Sequence, residues 1–144
     1  MKVAAEDLVP EAVIGELILA NSLVLTCVCD EDNVRKGRFV TATTWENWPP
    51  VVHEADSGEP VFGTALKSGN SGDYIPVCIF GIVKMYAGGA VSAGAGVKTD
   101  NDGRAVAALA SDDGKSGGRA LMSASEANDQ FIVLVCPDNH GVGT

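Results

Sequence analysis

One stretch limits what this chain can fold into more than any other: between Tyr74 and Tyr86, the residues Ile75, Val77, Cys78, Ile79, Phe80, Ile82, Val83 and Met85 leave few polar positions. The run is too short and too rich in branched side chains for a membrane helix, and it suits a strand buried on both faces. Gly81 in its middle predicts a bulge or a sharp bend of the kind that closes a barrel.

The segments around it repeat the same theme. Ser22 to Cys29 alternates Leu23, Leu25, Cys27 and Cys29 with Val24, Thr26 and Val28, and stops at the turn Asp30-Glu31-Asp32-Asn33. Arg38 to Thr44 reads as a strand, whereas Trp45-Glu46-Asn47-Trp48-Pro49-Pro50 is a loop or extended arm, since two prolines remove ladder donors. Asp56 to Pro60 and Lys67 to Asp73 are surface turns by composition. Beyond the flexible Ala87 to Ala90 come Val91 to Thr99, the hairpin turn Asp100 to Gly103, and Arg104 to Ala110. Arg119 to Ser123 and Gln130 to Cys136 form the final pair.

Such short segments at spacings of roughly ten residues predict a mainly β fold, a small barrel or sandwich of short antiparallel strands. The 17 glycines cluster at the turns, as tight β connections require. Glu11 to Ala20 reads either as an N-terminal helix, with Val13, Ile14, Leu17 and Ile18 on one face, or as an extended apolar arm. The expected organisation is a single domain: residues 1–73 carry the arm and the first strands, and residues 74–144 the β core.

Composition narrows the functional classes. The chain has 144 residues with 46% hydrophobic content, enough to bury one core. A net charge of -9 without a Lys/Arg cluster argues against a nucleic-acid partner. Residues 1–9 lack the basic start of a secretory signal, and Pro10, Glu11, Gly15, Glu16 and Asn21 interrupt the following apolar stretch, so no membrane partner is expected.

Reduced thiols are the default for Cys27, Cys29, Cys78 and Cys136. On a strand, Cys27 and Cys29 share a face about 6.6 Å apart, near the limit for a disulfide between them. A bridge from this pair to another cysteine or to a second subunit stays open, the latter as an exposed pair facing its copy across a symmetry axis would allow.

Several motifs begin and then fail. Gly114-Lys115-Ser116 ends like a phosphate-binding loop, but the required first glycine is replaced by Leu109. Asp100-Asn101-Asp102-Gly103 resembles part of a calcium loop, yet Lys98 and Leu109 stand where carboxylates are needed. His53-Glu54 lacks its second histidine, which falls on Ser57. Ser71 in Gly69-Asn70-Ser71-Gly72-Asp73 has His53 and Asp56 too near in sequence for a two-barrel protease. Cys27, Cys29, Cys136 and His140 have weak spacing for zinc, and cysteines inside apolar runs are usually small core residues. The expectation is no catalytic residue, no cofactor and no metal: not an enzyme.

A family pattern stands in the second half. The stretch Pro76-Val77-Cys78-Ile79-Phe80-Gly81-Ile82-Val83-Lys84, followed by Tyr86-Ala87-Gly88-Gly89-Ala90-Val91-Ser92-Ala93-Gly94, Val97-Lys98-Thr99-Asp100 and Gly103-Arg104-Ala105-Val106, resembles the small capsid cement (decoration) proteins of tailed bacteriophages. The ending Gly118-Arg119-Ala120-Leu121, Ala124-Ser125 and Asp129 to Val135 resembles that family too. The resemblance spans residues 74–136, and residues 1–73 match no pattern we can place.

It implies a structural virion protein, made in the host cytoplasm, that sits on the outer capsid surface. There it would clamp neighbouring major capsid protein subunits against internal DNA pressure. It further implies a homo-oligomer, a trimer more often than a dimer, and carries over no active residues. For the contact with the capsid, Trp45 and Trp48 are the first candidates, as aromatics in a proline-bounded loop, with core filling as their competing role. Leu17 and Ile18, on the amphipathic Val9 to Leu19 segment, are the second. The alternative function is a free-standing β-barrel binding module for a small ligand or a host surface glycan, with a pocket lined by Tyr74, Tyr86 or a tryptophan.

Overall fold

The computed structural model describes residues 22–138. Among them lie nine strands: β1 (Leu23–Cys29), β2 (Phe39–Thr44), β3 (Val51–Glu54), β4 (Gly63–Ala65), β5 (Tyr74–Tyr86), β6 (Gly96–Thr99), β7 (Ala105–Ala107), β8 (Gly118–Ala120) and β9 (Gln130–Val135). The Glu11 to Ala20 segment, with Leu17 and Ile18, falls outside the described residues, as does His140.

The first five strands close on themselves. Their order is β1-β3-β2-β4-β5, and β5 returns to pair with β1, which makes a five-stranded barrel. Every pairing in it is antiparallel except one: β1 runs parallel to β3, with Val28 beside Val51 and Cys29 beside Val52. The expectation of antiparallel strands throughout is corrected there, because a parallel neighbour needs a crossover connection and β2 supplies it. Beyond the barrel, β5 continues into a second sheet in the order β5-β9-β8-β6-β7.

β5 can serve both sheets because it carries an extra residue. Val24 pairs with Cys78 and Leu23 with Phe80, so Ile79 is left over as a bulge. Before the bulge, Ile75 and Val77 point into the barrel with Cys27, Cys29, Val34, Val40, Val52 and Ala65. After it, Val83 and Met85 join a second core with Phe39, Val97, Phe131, Val133 and Val135. A β-carbon on Gly81 would stand 2.7 Å from Ser22 Oγ and 3.0 Å from Cys78 Sγ, so only glycine lets the bent strand pass β1 this closely.

This division corrects the reading of β5 as buried on both faces. Tyr74, Phe80 and Ile82 are exposed, because each half of the strand meets one core and turns its other face outward. The strand bounds match the sequence reading at β5, while the Val91 and Arg104 segments shrink to β6 and β7. β4 has no counterpart in that reading. It is held by backbone pairing of Thr64 and Ala65 with Cys78 and Val77 and by Phe39 and Val40 on its other side.

Candidate functional site

Pro49 and Pro50 end the ladder between β2 and β3, and the register already slips between Ala42 and Thr44. The loop between these strands carries two tryptophans to the surface. Trp45 is 62% exposed and rests edge-on against Phe62, with ring centroids 5.7 Å apart. Trp48, which precedes Pro49 through a cis peptide bond, is 77% exposed. Neither fills the core.

A third aromatic belongs to the same end of the barrel. Tyr74 pairs with Val28, and Val28 lies beside Val51, the residue that follows the tryptophan loop. Two strand spacings therefore separate Tyr74 from Val51, roughly 10 Å. Tyr74 is 67% exposed. The sequence reading named it for a ligand pocket and not for the capsid contact, since an aromatic opening an apolar strand carries no signal of a surface patch. Where β1 and β5 diverge, Leu23, Val24, Phe80 and Ile82 add a second exposed apolar strip.

The polar groups near the tryptophan loop are engaged with one another. His53 Nδ1 lies 2.8 Å from Thr43 Oγ1, whose hydroxyl donates to Asp30, and His53 Nε2 is 3.5 Å from Glu59. The Ser71 N–H donates to Asp32 at 3.1 Å, and the groups bonded to His53 among the described residues are Thr43, Asp30 and Glu59 rather than Ser71. Among the described residues, no three His, Cys, Asp or Glu side chains gather where a metal could sit.

The cysteines separate by environment. Cys27 and Cys29 are buried inside the barrel, Cys78 is buried against the second core, and Cys136 is exposed. Burial, with a smaller contribution from Cys29, pushes the Cys27 thiol up to about 11. Burial likewise raises Cys29, helped by Asp73 and Asp30, and raises Cys78. The pair left open for a bridge to a second subunit, Cys27 and Cys29, has almost no exposed surface, at 0% and 1%.

Of the residues named for a ligand pocket, one lines a groove. Tyr86 lines a groove near Lys36 and Lys84, but Tyr74, Trp45 and Trp48 do not.

The model of the phage cement protein family matches residues 19–136, most of the chain. The chain belongs to the phage cement protein family. The match takes in β1 to β4 as well as the segment from residue 74 onward that carries the sequence resemblance. No curated protein matches this cement protein. Among solved structures it is similar to the head fiber gp8.5 N base of bacteriophage phi29, with a TM-score of 0.62 and 19% identity, covering 80% of this chain and 94% of that one. At that identity the likeness is one of fold. Family and fold together make the cement protein a structural component associated with the phage virion.

Proposed function

We propose that this cement protein binds the outer surface of the capsid and clamps neighbouring major capsid protein subunits, acting without catalysis and as a homo-oligomer, a trimer in preference to a dimer. The observation that carries the reading is the exposed aromatic end of the barrel, Trp45, Trp48 and Tyr74. Large aromatics left in water at one end of a stable β scaffold are what an interface core uses.

The magnitudes agree with a clamp that works by repetition. Covering a tryptophan removes roughly 150–250 Å² from water, about 4–6 kcal/mol at ~25 cal/mol per Å². Much of that is offset by the lost freedom of the bound molecule. Two or three linked copies on adjacent subunits convert a weak contact into a lasting one.

Binding of purified protein to capsid shells lacking it tests the reading. Trp48→Ala is expected to lower occupancy by about tenfold or more at unchanged melting temperature. Unchanged occupancy at equal protein concentration would contradict it.

A further inference from the structure

A groove of about 320 Å³ opens at the junction of the barrel and the second sheet, between Lys36 and Gly37 on one side and Val83 to Tyr86 on the other. Leu66 and Val83, both partly buried, give it an apolar floor above the buried Met85, and Lys36 and Lys84 border it. Neither lysine forms an ion pair among the described residues, whereas Lys98 holds Asp112 at 3.0 Å and Arg104 holds Asp100 at 2.9 Å. On a chain of net charge -9, two uncommitted ammonium groups flank one hollow.

Further cations stand beside the groove, although Arg35 among them is paired with Glu54. A smaller hollow of about 230 Å³ shares Lys36 and Tyr86 and adds Arg35 and Arg38. Arg38 lies 5.3 Å over the Tyr86 ring and donates to the Asp102 carbonyl at 2.9 Å, while its buried Nε has no acceptor. Burial and then the nearby Arg35 charge lower the Arg38 pKa, as expected where positive charge is crowded.

The groove also meets a free sheet edge. Lys84 pairs with Ile132, whose carbonyl accepts from Leu121 on the far side of β9, so the Lys84 peptide groups turn away from β9. Tyr86, two residues on, uses that same edge to donate its N–H to Gly37 at 3.2 Å. The Lys84 N–H and C=O have no backbone partner there among the described residues.

We propose that this groove takes an extended acidic peptide from a protein partner, its carboxylates on Lys36 and Lys84, its apolar side chains on Leu66 and Val83, and its backbone on the Lys84 edge. Strand addition supplies the affinity, and alternate side chains reading charge and floor supply the specificity. A free anion would use only the cations and leave the floor and the edge idle. The groove precedes β2 and the tryptophans follow it, so a strand of 6 residues separates the two surfaces, roughly 20 Å. The inference does not rest on the capsid reading.

Fluorescence anisotropy with the full chain tests it. The probe is an acetylated octapeptide alternating Glu with Leu or Val, compared with one alternating Glu with Ser. Lys84→Glu is expected to weaken binding of the Glu/Leu peptide about tenfold or more, while Lys115→Glu, the same charge change outside the groove, shifts it no more than about twofold. The Glu/Ser peptide is expected to bind about tenfold more weakly. Equal weakening by the two variants, equal binding of the two peptides, or displacement by inorganic phosphate at the peptide's own concentration would each overturn the proposal. Melting curves of both variants show that any loss is not unfolding.

Discussion

Gly117 lies against the ring of Phe39: a β-carbon at 117 would stand 2.6 Å from two ring atoms. This contact ties the second sheet to the barrel, since Gly117 leads into β8 and Phe39 opens β2. Phe39 has no exposed surface and no room to yield. Gly117→Ala is therefore expected to cost about 1–3 kcal/mol through overpacking. Gly89→Ala, where a β-carbon meets nothing within 4 Å, serves as the control. Thermal melting of the two variants checks this, and equal melting temperatures would contradict the close packing.

Arg35 and Glu54 clasp the barrel end through more than one bond. Arg35 Nε donates to Glu54 Oε2 at 3.0 Å, and the Arg35 backbone N–H donates to the same oxygen at 3.2 Å. The Glu54 side chain is only 11% exposed, so water cannot fully replace the pair. Glu54→Ala is expected to destabilise by about 2 kcal/mol, against a few tenths for Glu46→Ala, which is exposed and unbonded among the described residues. Urea denaturation midpoints give the comparison.

The thiols make a chemical and a pH prediction. With an aromatic disulfide reagent near about pH 8, only Cys136 is expected to react quickly, and the buried three at the rate of opening. The folded state holds the Cys27 pKa at about 11, above its ordinary 9.0. Between those values the unfolded chain gives up a proton that the folded chain keeps, so this contribution to stability is full below pH 9.0 and lost as pH rises through about 11. Cys27→Ala is expected to show a shallower loss of stability across that window than the parent protein. Parallel curves would contradict the assignment.

The legible and illegible parts of the fold differ in range. β5 could be bounded from sequence because Tyr74 to Tyr86 is apolar between polar turns, and Gly81 marked its bend because no side chain fits there. β4 left no trace, since Gly63, Thr64 and Ala65 carry no hydrophobic period and are placed by neighbours distant in sequence. The parallel β1–β3 pairing depends on such distant partners as well. Prolines revealed the loop that presents Trp45 and Trp48, but residue type alone could not distinguish an exposed tryptophan from a core one. The Lys36 and Lys84 groove was illegible because its two cations stand 48 positions apart in the chain.

A trimeric clamp predicts a particle of about three chain masses of 14.8 kDa in sedimentation equilibrium of the full chain. A single chain mass at all concentrations would remove the homo-oligomer from the account.

The most direct test is the copy number of this protein relative to the major capsid protein in purified phage particles, measured by quantitative mass spectrometry. Clamping of neighbouring subunits across the shell predicts a fixed simple ratio, about one per capsid subunit or another small fraction set by symmetry. Absence from particles, or a handful of copies per particle, would contradict it.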